Sequence, residues 1–389
     1  MFYELTASTW GKEETGAIER VIRSDRFTMA DEVAAFEREF ADYFGMRYGV
    51  MANSGSSANL IATAALFYKR ENPLQRGDEA IVPSIAWSTT YSPLQQYGLR
   101  LRFVDVELET LNMDTSRLEE ALTPRTRLLV GVSVLGNPAA LDVMRAFAHQ
   151  HALYFLEDNC ESMDAELGGQ KTGTFGDLST FSFFFSHHIS SMEGGIVLTN
   201  DEELYHLLRS LRAHGWTRDL PPGSPLFERH GNEHFEAYRF VLPGYNVRPL
   251  EMVGAVSREQ LKKLPAMTQQ RRRNLALFQR LFEGDSRFIT QRENGKSSSF
   301  SFTLVLNPEA GLDRDGVFSS LRDAGIGFRM ITGGCLPCHD TIQYYDYDTV
   351  GPLTNARLAH NQGFFVGNYP SDLTGAITRL REVLNRVGR

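Results

Sequence analysis

Two adjacent histidines, His187 and His188, sit in the stretch FSFFFSHHISSMEGG at residues 181–195. A free imidazole titrates near neutrality, so a histidine in the polar turn after an aromatic strand can take a proton from a bound molecule and hand it back. Two carboxylates, Asp158 and Glu161, close the apolar run LYFLEDNCE. Their spacing also suits a solvated turn, but the apolar strand before them favours a buried position. A third group, Asn53-Ser54-Gly55-Ser56-Ser57-Ala58-Asn59, stands at the mouth of a helix. Free backbone N–H groups and the positive end of the helix dipole make such a mouth an anion site, although plain capping uses the same residues. Cys335-Leu336-Pro337-Cys338-His339 mimics a haem attachment or half a zinc site. A structural zinc needs four ligands and the only other cysteine is Cys160, so this segment reads as a loop.

These groups need a scaffold to bring them together. Apolar runs of strand length at 79–83, 101–106, 127–134 and 153–157 alternate with helical segments around Leu94, Leu118 and Val143. The alternation predicts an α/β fold with a parallel or mixed sheet covered on both faces. In such sheets ligands bind beyond the carboxyl ends of the strands. Three polar loops, 84–90, 158–162 and 186–193, fall at those ends. Upstream, Asp31 is expected to cap a helix carrying Val33, Phe36, Phe40 and Tyr43, closed by Gly45; a strand at 48–51 and a helix at 58–69 follow. Downstream, helices are expected at 201–214, 250–282, 313–324 and 373–387, strands at 298–306 and 325–331, and a loop without periodicity at 215–232. The change in character predicts a large domain over 1–259 and a smaller α+β domain over 260–389.

A 389-residue chain with 42% hydrophobic residues can bury two such cores. A net charge of −8 argues against nucleic acid or an anionic membrane as partner. The sequence has no long apolar run and no basic leader, so neither a membrane span nor a secretory signal is expected. Three cysteines suit a reducing cytoplasm.

The layout resembles the DegT-type family of pyridoxal-phosphate (PLP) nucleotide-sugar enzymes, whose cofactor-anchoring segment runs roughly F-S-F-x-x-x-K-x-x-x-x-x-E-G-G. The resemblance implies PLP fold type I, and it implies roles residue by residue. His187 fills the position of the Schiff-base lysine. Asp158 matches the aspartate of an E-D-x-x-Q motif and would keep the cofactor's ring nitrogen protonated. Glu161 replaces the usual glutamine near the phenolic oxygen. Trp87 in PSIAWSTT would stack on the ring, with an ordinary core tryptophan as the alternative. Gly55, Ser56, Ser57 and Ser182 would hold the phosphate. Asn246 in GYNVRP would reach the same phosphate across a subunit interface, which implies a homodimer with a shared site. Arg248 and Arg329 are candidates for an amino donor's carboxylate or a nucleotide diphosphate, and Ser186 is a further substrate contact. His214 in RAHGWTRD would lie beside the site as a second catalytic candidate, or cap the helix before it.

One branch of this family carries histidine in place of the lysine and dehydrates its sugar at C3 instead of aminating it. A cluster-bearing type needs about four thiolates, more than this chain owns. The remaining likeness includes STW at 8–10, FTM at 27–29, LGNP at 135–138, LEDNCESM at 156–163, FVLPGYNVRPLEM at 240–252 and FVGN at 365–368. It departs at 333–339 and 227–236. It implies a PLP/PMP-dependent 3-dehydratase that takes glutamate as amino donor and a nucleotide-linked 4-keto-6-deoxy hexose as substrate. The sugar nucleotide implied is GDP-4-keto-6-deoxy-D-mannose, with a 4-keto-3,6-dideoxy sugar for colitose and O-antigen synthesis as product. His187, with a pKa near neutrality, would shuttle the proton. Two other readings stay open at this point. One is a 4-aminotransferase that uses Lys171, expected to face solvent in the turn GGQKTG; the other is an inactive homologue that only binds a sugar nucleotide.

Overall fold

Strands without polar alternation must be covered on both faces, and such strands form the centre of this molecule. The computed structural model describes residues 3–221 and 223–387, so the outermost ends of the two expected domains (1–2 and 388–389) lie outside the described residues. In chain order the strands are β1 (Tyr48–Ala52), β2 (Glu79–Pro83), β3 (Arg100–Val104), β4 (Thr126–Val132), β5 (Tyr154–Asp158), the short hairpin β6 (Glu166–Leu167) and β7 (Gln170–Lys171), β8 (Leu178–Ser182) and β9 (Gly195–Thr199). They continue with β10 (Phe288–Thr290), β11 (Ser301–Leu306), β12 (Phe328–Met330), β13 (Tyr347–Val350) and β14 (Gly363–Gly367). An eight-stranded sheet has the order β1-β9-β8-β5-β4-β2-β3-β13. Only β9 runs against its neighbours; the other pairs are parallel. A second, fully antiparallel sheet has the order β10-β11-β14-β12. Phe278, Phe302, Phe364 and Leu380 lie in the core against it.

Two helix starts differ from expectation, each because a cap comes from elsewhere. The helix Asp31–Phe44 begins on Asp31 rather than being capped by it. Its free N–H groups go instead to Glu251 from another helix, whose Oε2 accepts from Ala30 N at 2.7 Å and Val33 N at 3.2 Å. The helix expected from Ala58 begins at Gly55, because Ser54 caps it by accepting from Ser57 N at 3.0 Å. The aromatic strand also ends early. β8 stops at Ser182; Phe183 is buried, but Phe184 and Phe185 are 38% and 47% exposed.

Residue 260, the expected domain boundary, lies inside the continuous 32-residue helix Glu251–Phe282. Beyond it the chain does not stay with the second sheet, since β13 crosses back to pair in parallel with β3. That strand, β14 and the helix Lys12–Ser24 had no place in the sequence reading. Among the described residues no helix is long and apolar enough to cross a membrane.

Candidate active site

The carboxyl ends of β4, β5 and β8 and the N-terminus of the helix Gly55–Phe67 open on one cavity of about 920 Å³. Of the predicted site residues it gathers Gly55, Ser56, Trp87, Asp158, Glu161, Ser182, Ser186, His187 and Arg329 into its wall.

Asp158 is 6% exposed at the end of β5. Its Oδ2 accepts from Asn59 Nδ2 (2.9 Å) and Thr90 Oγ1 (2.7 Å), and its Oδ1 from the N–H of Cys160 (3.1 Å). Asn59 is oriented in turn by Thr180, whose hydroxyl donates to Asn59 Oδ1 at 2.6 Å. Each of these three neighbours donates a hydrogen bond to the carboxylate.

Glu161 is held differently. Its Oε1 accepts from the Thr332 hydroxyl and its Oε2 from Leu135 N at 2.9 Å. Burial pushes its carboxyl up to about 7; the two hydrogen bonds pull it down, and the Asp158 charge adds to the rise. A carboxyl raised in the folded state stabilises the fold below its unfolded pKa, and that contribution is lost as pH rises through about 7. Between pH 4.5 and 8 the apo-protein should lose up to about 3 kcal/mol relative to Glu161→Gln. Urea unfolding of both proteins at the two pH values checks this; parallel pH dependence would disprove it.

Of the two histidines only His187 faces the cavity. Its ring meets Phe184 and Phe300 edge-on, with centroids 5.9 Å and 5.2 Å away, and its Nδ1 is buried without a partner among the described residues. The pKa is not near neutral as expected: burial, then the charge of Arg271, pushes it down to about 4. The imidazole is neutral and able to accept a proton. Arg271, 3% exposed, donates to the carbonyls of Phe300 (3.1 Å) and Asn368. His188 is buried behind, with Nε2 3.3 Å from Ser298 O.

Trp87 is 59% exposed at the cavity and is no core tryptophan. Ser56 Oγ pairs with Thr89 Oγ1 at 2.8 Å, whereas Ser57 turns back to Ser54 and does not line the cavity. Arg329 stands exposed and, among the described residues, has only the Phe328 carbonyl as acceptor, at 3.2 Å. His214, Asn246 and Arg248 lie together outside the cavity. His214 N donates to Tyr245 O at 2.6 Å, and Arg248 Nε donates to Asn246 Oδ1 at 3.0 Å. His214 is not a cap either, since the helix Glu202–Arg212 has Ala213 in that place.

Among the described residues no lysine lines the cavity. Lys171 is not solvent-facing as expected: it pairs with Asp164 and lies 4.3 Å over the Tyr43 ring. Among the same residues no group of three or more His, Cys, Asp or Glu could hold a metal.

The cavity fits PLP. A buried carboxylate with its other partners in place can answer a ring nitrogen, and an exposed indole can cover a ring face. Gly55, Ser56 and Ser182 surround a helix N-terminus suited to a phosphate. Gly194 has φ 146° and Gly195 lies under Ser54: a Cβ at 195 would sit 2.4 Å from the Ser54 carbonyl oxygen. Gly195→Ala must displace the Ser54–Gly55 turn. At about 1–3 kcal/mol for such overpacking, PLP affinity should fall about ten- to hundredfold, which fluorescence titration would measure; unchanged affinity would refute the assignment.

Sequence reasoning missed Asn59 and Thr90 as the holders of Asp158, although both stood in stretches it had singled out. Thr332, Phe300 and Arg271 gave no signal, because they reach the site from the second sheet and the long helix.

A family profile described as the DegT/DnrJ/EryC1/StrS aminotransferase family matches residues 8–384. The GDP-4-keto-6-deoxy-D-mannose 3-dehydratase of Yersinia pseudotuberculosis is 46% identical over 386 residues, covering 99% of this chain and 98% of that protein. A crystal structure of GDP-4-keto-6-deoxymannose-3-dehydratase (ColD) with bound GDP-perosamine is 45% identical, with a TM-score of 0.96 over 98% of this chain and 100% of that one. A GDP-4-keto-6-deoxymannose-3-dehydratase structure with a trapped PLP–glutamate geminal diamine matches with the same identity, coverage and TM-score.

Proposed function

The chain belongs to the DegT/DnrJ/EryC1/StrS aminotransferase family, and on that premise we propose that it is the PLP-dependent 3-dehydratase of GDP-4-keto-6-deoxy-D-mannose. The observation that carries this reading is a cavity with His187 at the position of the family's lysine and no lysine in its wall among the described residues. Without a lysine the site cannot tether its cofactor or direct a proton to the sugar carbon that would keep the amine.

Bound PLP, in its amine form, would supply an electron sink for chemistry beside the sugar's 4-keto carbon. Asp158 would partner the ring nitrogen, held in place by the hydrogen bonds that Asn59 and Thr90 donate to it. Trp87 covers one face of the ring. Ser56, Ser182 and the N–H groups at Gly55 take the phosphate. His187, neutral and lacking a partner at Nδ1, removes the proton at the cofactor's C4′ and returns it to the C3 hydroxyl as that group leaves as water. Glu161 would stand near the phenolic oxygen. Arg329 offers its guanidinium to a diphosphate or a donor carboxylate, and Ser186 contributes to the same wall.

Glutamate is the amino donor, supported by the PLP–glutamate adduct in the related structure. A homodimer with a shared site is supported by the placing of His214, Asn246 and Arg248 outside the single-chain cavity, with Tyr238, Phe240 and Leu250 exposed near them in sequence. The product serves colitose and O-antigen synthesis, in the cytoplasm. A panel of 4-keto-6-deoxy sugar nucleotides, assayed with glutamate and PLP, tests the whole reading. Ammonia and a 3-deoxygenated keto sugar should form, fastest from the GDP sugar; a stable amino sugar would overturn it.

A further inference from the structure

The segment 333–339 has no part in the chemistry above. Cys335 and Cys338 are both free, and they sit at the two ends of one turn, with Cys338 N donating to Cys335 O at 2.9 Å. A hydrogen-bonded turn of four residues keeps its end Cα atoms under about 7 Å apart, and disulfides span about 4.4–6.8 Å.

The two thiols have unequal surroundings. Cys338 is half-buried, and its Sγ accepts from Arg357 Nη1 at 3.5 Å. Cys335 is fully buried, and burial followed by the Cys338 charge pushes its thiol up to about 12. A reachable nucleophile thus stands next to a sheltered one. Packing alone would explain Cys335, but not a sulfur placed against Arg357. A metal is not favoured, because among the described residues no group of three or more His, Cys, Asp or Glu could hold one. The turn is also tied to the cavity wall on two sides. Leu336 N donates to Ser84 O in the loop that leads to Trp87, and Thr332, at the head of the segment, holds Glu161.

We propose that Cys335 and Cys338 form a thiol–disulfide exchange site that closes into an intramolecular disulfide on reaction with a small-molecule disulfide. Cys338 thiolate attacks one sulfur of the reagent, whose S–S bond breaks and releases a first thiol. Cys335 then gives up its proton and attacks Cys338 Sγ, releasing the second thiol. Two electrons pass from the cysteine pair to the reagent.

The test uses the folded, PLP-loaded protein and oxidised glutathione. Denatured samples should fall from the three thiols of the sequence to one, with the intact mass lower by two hydrogens, no adduct, and full recovery in dithiothreitol. Cys335→Ser should instead accumulate one glutathione on Cys338. Three persisting thiols, an adduct that remains on the wild-type protein, or a disulfide that maps to Cys160 would each overturn the proposal, as would an unreactive Cys335→Ser variant.

Discussion

Replacing His187 by asparagine abolishes the dehydration, with turnover falling by at least about 10³-fold, inside the range a positioned proton carrier contributes, while PLP still binds. The fold should be unaffected, because Nδ1 has no partner to lose and the ring only meets the edges of Phe184 and Phe300. Asparagine keeps the polarity of the site but cannot accept a proton at neutral pH. His187→Lys places an amine at the family's tethering position and should bring back a Schiff-base absorbance. The two variants separate proton transfer from cofactor capture. Ammonia release within tenfold of wild type in His187→Asn, or no shifted absorbance in His187→Lys, would show that another group occupies the tethering position.

The second large effect is expected at Asp158. Asn59 and Thr90 both donate to Oδ2 and Cys160 N donates to Oδ1, so an amide at this place has too few acceptors. Asp158→Asn leaves at least one donor facing an NH₂ group, at about 1–3 kcal/mol of stability. On the proposed role it also removes the partner of the ring nitrogen, and with it about 10²–10³-fold in rate, the usual loss on deleting one preorganised electrostatic partner. The half-reaction with glutamate isolates this step, since it is followed by the fading of the cofactor's visible aldehyde band. A half-reaction at wild-type speed would remove Asp158 from its assigned role.

How far such arguments reach from sequence depends on whether their cause is local. The runs that became β2, β4 and β5 carry their own evidence, because a strand buried on both faces cannot alternate with polar residues. The three loops at strand ends were legible for the same reason, and their residues line one cavity. Failures came where a distant group decides. Glu251 caps a helix whose own Asp31 was expected to do so. Arg271, packed on the Phe300 carbonyl, helps shift His187 far from the value its residue type suggests. β13, with Tyr347 and Asp348 exposed, has neither the length nor the apolar content to declare itself.

That last strand has a consequence for synthesis. Ala356 N bonds to Asp105 Oδ1 across 251 positions, just beyond the point where β13 joins β3. A ribosome releases the N-terminal strands long before their outermost neighbour exists, so the nascent sheet carries an unpaired β3 margin until the last part of the chain emerges. Such late, long-range closure is slow and leaves the waiting margin open to pairing with other chains.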